Sequence, residues 1–154
     1  MIYARLISII FCLPLFTSAA FCQVPAQGTA KKIAVENAGV QRSSPAYAEI
    51  LLRRTELTAE LESLLLEYTE EYPKVGEMRH SLAILQKDRE RILAVKAAES
   101  IKLTLALGKL MVKRAELETD LWQLLKTYKE EHPDVKRAKR KVEIYEAAIK
   151  EILD

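Results

Sequence analysis

The sequence predicts an all-α protein built from two tandem helix–Pro–helix repeats, each an α-hairpin with coiled-coil spacing. Three observations carry this reading. Of the 154 residues 49% are hydrophobic and 30% are charged, while glycine and proline number only four and five. A chain rich in Leu, Ala, Glu, Lys and Arg and poor in turn formers favours long helices over sheets. Next, sliding the chain by 60 residues lays 50–93 on 110–153 without a gap, with 14 identities in 44 positions, among them Leu57/Leu117, Leu61/Leu121, Tyr68/Tyr128, Pro73/Pro133 and Val75/Val135. Finally, apolar residues recur at alternating steps of three and four in each copy, the spacing of a coiled-coil seam.

Taken in order, residues 1–22 read as a secretory signal peptide. Arg5 gives the positive start, Leu6 to Phe16 the apolar core, and Ser18, Ala19 and Ala20 the small residues before cleavage, after Ala20 or after Cys22. The core is short against the roughly 20 residues of a membrane helix. The body is thus expected to be periplasmic or secreted, meeting the membrane only through an uncleaved or lipidated N-terminus. Phe21 argues against lipidation, because lipoprotein signals resemble one another in carrying a small residue there. Both cysteines, Cys12 and Cys22, fall in this stretch, so the mature body has no disulfide and relies on packing. Residues 23–43 lack helical periodicity and contain Pro25, Gly28, Asn37 and Gly39, which reads as a flexible linker. Within it Lys32 to Val35 would suit one short strand without a partner.

Residues 44–154 are the helical repeat domain, with copy one at about 46–97 and copy two at about 106–154. Ser44 is a good N-cap and Pro45 suits the first helical position. The seam of the first arm is Leu57, Leu61, Leu64 and Tyr68. Its counterpart is Leu117, Leu121, Leu124 and Tyr128, preceded by Leu103, Leu107 and Leu110, with Arg114 filling the missing step. The second arms read Val75, Met78, Leu82, Leu85 and Ile92, with Arg89 in the gap, and Val135, Ala138, Val142, Tyr145, Ile149 and Ile152. The arms meet at Glu-Glu-Tyr-Pro and Glu-Glu-His-Pro. Proline disfavours helix at the residue before it, so Tyr72 and His132 leave the helix while Pro73 and Pro133 start the next. Folding back there lets two stripes face each other as a hairpin; a kinked rod is the competing geometry. Between the copies, 94–105 stays helix-friendly and has neither Pro nor Gly. The reading leans to one long helix from Pro73 to Glu131, about 88 Å, against a break near Ser100 or Gly108.

Chemistry-bearing constellations are few. Glu130, Glu131, His132 and Asp134 have metal-ligand types, but copy one carries Tyr72 and Lys74 at the positions of His132 and Asp134 and keeps the same turn. These residues therefore read as turn architecture, and no metal or cofactor is expected. His80, beside Arg79, reads as solvated surface. With no cysteine in the body, no Ser-His-Asp context and no Gly-rich phosphate loop, no enzymatic activity is expected. Lys136, Arg137, Lys139, Arg140 and Lys141 form a basic run suited to anionic lipid, polyanionic glycan or nucleic acid. Export argues against nucleic acid, and the bland reading is a solvated face. Trp122, next to Leu121 and near Leu125, either packs at the edge of its hairpin or anchors a partner. Trp122 and the basic run are the candidate partner contacts.

The segment Tyr128–Val135, and more loosely Tyr68–Val75, resembles the periplasmic coiled-coil arms of polysaccharide chain-length determinant and exopolysaccharide export proteins. The resemblance implies helical arms facing the periplasm. Those proteins carry membrane segments at both ends, and this chain offers no second span, so their regulatory role does not transfer. The plan of a signal peptide plus a basic helical body also looks like small periplasmic chaperones of the Skp type. The expected function is a structural or interaction protein of the bacterial cell envelope, binding another envelope protein or a second copy of itself; the alternative is a holdase chaperone.

Overall fold

A computed structural model describes residues 39–154. The signal-peptide reading, both cysteines, most of the linker and the candidate strand lie outside the described residues. Four long helices follow one another: α1 Pro45–Leu65, α2 Pro73–Ala94, α3 Leu105–Thr127 and α4 Pro133–Leu153, with a 3₁₀ segment, Ala97–Lys102, between α2 and α3. No strand occurs among the described residues.

Each helix begins where local chemistry tells it to. The Ser44 hydroxyl accepts from the Tyr47 N–H at 3.2 Å and Pro45 takes the first turn, where its missing N–H costs nothing. Tyr72 (φ −63, ψ 127) and His132 (φ −61, ψ 138) stand in extended geometry before Pro73 and Pro133. The chain folds back at both prolines, so the arms form antiparallel hairpins rather than a kinked rod. Helix α3 is the hub, packing against α1, α2 and α4. The core is Ile50, Leu57 and Leu61 of α1, Val75, Met78, Ile84, Leu85 and Ile92 of α2, and Leu107, Met111 and Ala115 of α3. From α4 only Val135 and Ile149 are fully covered. Burying each large apolar side chain is worth about 1.5–3 kcal/mol, so most of the cohesion lies among α1, α2 and α3.

Four expectations are corrected. The long Pro73–Glu131 helix does not form. Val95 (φ −65, ψ 134) closes α2, and Thr104, whose hydroxyl accepts from the Leu107 N–H at 3.3 Å, opens α3. The break needs neither Pro nor Gly because tertiary contacts outweigh helix propensity. The Gln41 side-chain amide donates to the Val95 carbonyl at 2.5 Å, the Ala46 N–H to the Leu103 carbonyl at 3.3 Å, and the Lys102 ammonium to the Leu153 carbonyl at 2.9 Å. Leu103 is buried in the reversal, and a continuous rod would instead have left the Leu107 and Met111 stripe uncovered. The linker gives way to folded chain by Gly39, for 39–42 is helical and Gln41 is buried on that same amide contact. Tyr68 and Tyr128 are not seam residues: both lie past the last helical turn, 43% and 42% exposed. The gap in the α2 stripe is filled by the buried Asp88, with Arg89 half-buried beside it.

Candidate interaction surface

The two Pro turns are built alike. The Tyr68 and Tyr128 N–H groups donate to the Leu64 and Leu124 carbonyls at 2.8 Å, and the Tyr72 and His132 N–H groups donate to Thr69 and Lys129 at 3.0 and 3.1 Å. The Tyr68 ring stacks on Tyr72 with centroids 4.3 Å apart, and Tyr128 stacks on His132 at 4.2 Å. Imidazole therefore replaces phenol without loss of the stack, which accounts for the aromatic at this step in both copies. Nδ1 of His132 also accepts from the Asp134 N–H at 3.2 Å. An ion pair spans each turn, Glu70 with Arg79 and Glu130 with Lys139. Lys139 holds the Glu130 carboxyl below its ordinary range. Asp134 pairs with Arg137. Two of the three carboxylates of the metal-like cluster, Glu130 and Asp134, are thus drawn to separate cations.

Arg114 and Asp88 form the one charged contact in the packed interior among the described residues. Nη2 of Arg114 donates to both Asp88 oxygens at 2.8 Å, and its Nη1 to Glu118 at 2.6 Å; Glu146 of α4 lies 3.4 Å from Nε. Asp88 is fully buried, and Arg91 approaches it at 3.6 Å. Burial pushes the Asp88 carboxyl above its ordinary range, with Arg114 opposing that shift in part. The cluster ties α2, α3 and α4 together. The sequence carried a signal for it: the Arg114 interruption of one stripe faces an acidic residue four before Ile92. Steps of 85, 88 and 92 continue the seam as well as steps of 85, 89 and 92 do.

Trp122 packs against the neighbouring hairpin rather than inside its own. Its ring stacks on His80 of α2 (4.6 Å between centroids, 8° between planes), and Lys126 Nζ sits 3.3 Å from the ring centre. The indole also lies over Gly76, one turn before His80, where a Cβ would meet it at 3.6 Å, in ordinary contact. His80 is accordingly half-buried rather than solvated, and burial lowers its pKa. Position 76 holds Gly only in copy one and position 122 holds Trp only in copy two, so a comparison of repeat with repeat could not pair them.

The basic run lies along the first turns of α4. Arg137, Lys139 and Arg140 hold Asp134, Glu130 and Glu143, whereas Lys136 and Lys141 have no ion-pair partner among the described residues. Lys141 borders a shallow groove between α3 and α4 whose other walls include Leu117, Leu124, Asp134, Arg137 and Ala138. Seam residues Leu117, Leu121, Leu124 and Val142 are only half-buried, and Ile144 is 53% exposed. No known protein family, curated protein or solved structure matches the chain. No helix among the described residues is long and apolar enough to cross a membrane.

Proposed function

We propose that this chain is an exported, non-enzymatic interaction protein of the bacterial cell envelope, whose helical hairpins hold a protein partner. The observation that carries the reading is the half-open α3–α4 seam: Leu117, Leu124, Val142 and Tyr145 keep apolar surface in solvent beside a basic rim. An apolar strip rimmed by charge is a protein-binding surface in kind. The apolar stretch from Leu6 to Phe16, followed by small residues, supports export. The likeness of Tyr128–Val135 to chain-length determinant arms agrees with a periplasmic helical device. The test is fractionation of cells expressing the full chain, with a photo-reactive residue at position 124 or 145. Recovery in the periplasm with a discrete cross-linked protein is expected. Cytoplasmic recovery, or no adduct at either position, overturns the proposal.

A second reading, a holdase chaperone, draws on the turn end of the hairpins, where Leu66, Tyr68, Tyr72 and Tyr128 are all exposed. It requires suppression of aggregation of an unfolded outer-membrane protein at equimolar amounts. Failure of that assay removes it.

A further inference from the structure

The two copies differ in what they cover. Helix α3 packs on both arms of the first hairpin, and Leu57, Met78 and Ser81 line one groove there with Glu116, Thr119 and Gln123. A shift of 60 residues turns those groove walls into Leu117, Ala138 and Lys141, the walls of the α3–α4 groove, which among the described residues receives no helix. Burial follows the same division. Ile50, Met78 and Leu85 are buried, while their counterparts Leu110, Ala138 and Tyr145 are half-exposed. The converse holds for the docking face. Met111, Ala115 and Thr119 of α3 are buried, while Leu51, Thr55 and Ala59 of α1 are exposed. Among the described residues, one end therefore shows an unused docking face and the other an unused groove, as in a short stack of repeats whose ends are not capped.

We infer that α1 of a second copy occupies the α3–α4 groove, head to tail, repeating between chains the contact that α3 makes with the first hairpin within one chain. The inference rests on the interaction reading above and names the partner. Charge complementarity selects this occupant. Arg53 of α1 reaches Glu116 of α3 at 3.4 Å; the same step between chains sets Lys113 against Glu56. Trp122 lies over Gly76 and His80; the same step sets Glu62 against Lys136 and Arg140. The one aromatic contact is exchanged for an acid between two bases, and the basic run, which copy one lacks, gains a partner. Gly108 approaches the Ala46 backbone more closely than a Cβ allows; its counterpart Ala48 carries that Cβ, so the two helices stand further apart at this step between chains. Arg114 is matched by Arg54, for which Ala148 replaces Asp88 and Glu151 stands one turn further on. Such a contact is heterologous, so addition does not stop at two chains unless a ring closes.

The test is sedimentation and light scattering of the protein purified after expression of the full chain, over a concentration series. Average mass is expected to rise with concentration beyond that of a dimer. Glu62→Lys, and separately Lys136→Glu with Arg140→Glu, should each weaken association about tenfold or more by setting like charges together. All three positions are exposed, so helicity should not change. Mixing the two variants in equal amounts should restore association, since each face then meets its opposite. A protein that stays monomeric up to about 1 mM, or an oligomer indifferent to these reversals, overturns the inference. A monomer that still cross-links to a different envelope protein removes self-association and leaves the interaction reading standing; absence of both removes both.

Discussion

Removing the two charges of the buried pair should have unequal costs. Arg114→Met leaves Asp88 fully buried with only Arg91 near it, at 3.6 Å. Stripping one member from a buried pair and stranding the other costs about 3–5 kcal/mol. Asp88→Ala, which installs the residue that copy two has at Ala148, is milder. Arg114 keeps Glu118 at 2.6 Å and Glu146 at 3.4 Å, so no charge is orphaned and about 1–2 kcal/mol is expected. The double variant should recover to within about 2 kcal/mol of the native protein, because no unpaired charge stays in the core. At roughly 4 °C per kcal/mol for a domain of this size, Arg114→Met lowers Tm by roughly 12–20 °C and Asp88→Ala by roughly 4–8 °C. Denaturant unfolding followed by circular dichroism gives the complete double-mutant cycle. The Arg114→Met deficit should also shrink in acid, where Asp88 is protonated. Equal costs for the two single variants, or a double variant as unstable as their sum, would refute the argument.

Three further outcomes follow from the packing. Gly108→Ala places a Cβ 2.8 Å from Glu49 Cβ and 2.9 Å from Ala46 Cα, so α1 and α3 must part and about 1–3 kcal/mol is lost. Gly76→Ala meets only the Trp122 edge at 3.6 Å and should gain about 0.5–1 kcal/mol of helix propensity; thermal melts compare the pair. His80, its pKa lowered by burial, binds its proton more weakly when folded. Its contribution to stability is complete above about pH 6.5 and is lost as pH falls through the lowered value. Fluorescence of Trp122, the single tryptophan, should be quenched by the imidazolium with a midpoint below that of a free histidine, and His80→Phe should abolish the step. Tyr128→Ala, which removes the turn stack, should cost about 0.5–1.5 kcal/mol, while His132→Tyr, which rebuilds the Tyr68–Tyr72 stack, should stay under about 1 kcal/mol; a larger loss on His132→Tyr would contradict the turn reading.

The all-α class, the helix starts at Pro45, Pro73 and Pro133, and most of the core were legible in the sequence. Those features are local: caps and prolines act on adjacent backbone, and spacing of three and four marks one face of one helix. The candidate surface was legible only in pieces. The basic run and Trp122 stood out by composition, but what they face did not, since residues 122 and 76 differ in each copy and meet only when α3 lies on α2.

By itself the sequence determined where α1, α2 and α4 begin, much of the stripe each would bury, and that the arms come in two related copies, because residue type and spacing act over a few neighbouring residues. Only the tertiary structure decided that the chain reverses between Val95 and Thr104, that Asp88 rather than Arg89 faces the seam, and that α3 covers the first hairpin while no described helix covers the second hairpin's groove. Helix-friendly residues at 94–105 permit either a rod or a reversal. The choice falls to the apolar surface that α1, α2 and α3 bury together, a quantity that no single segment possesses.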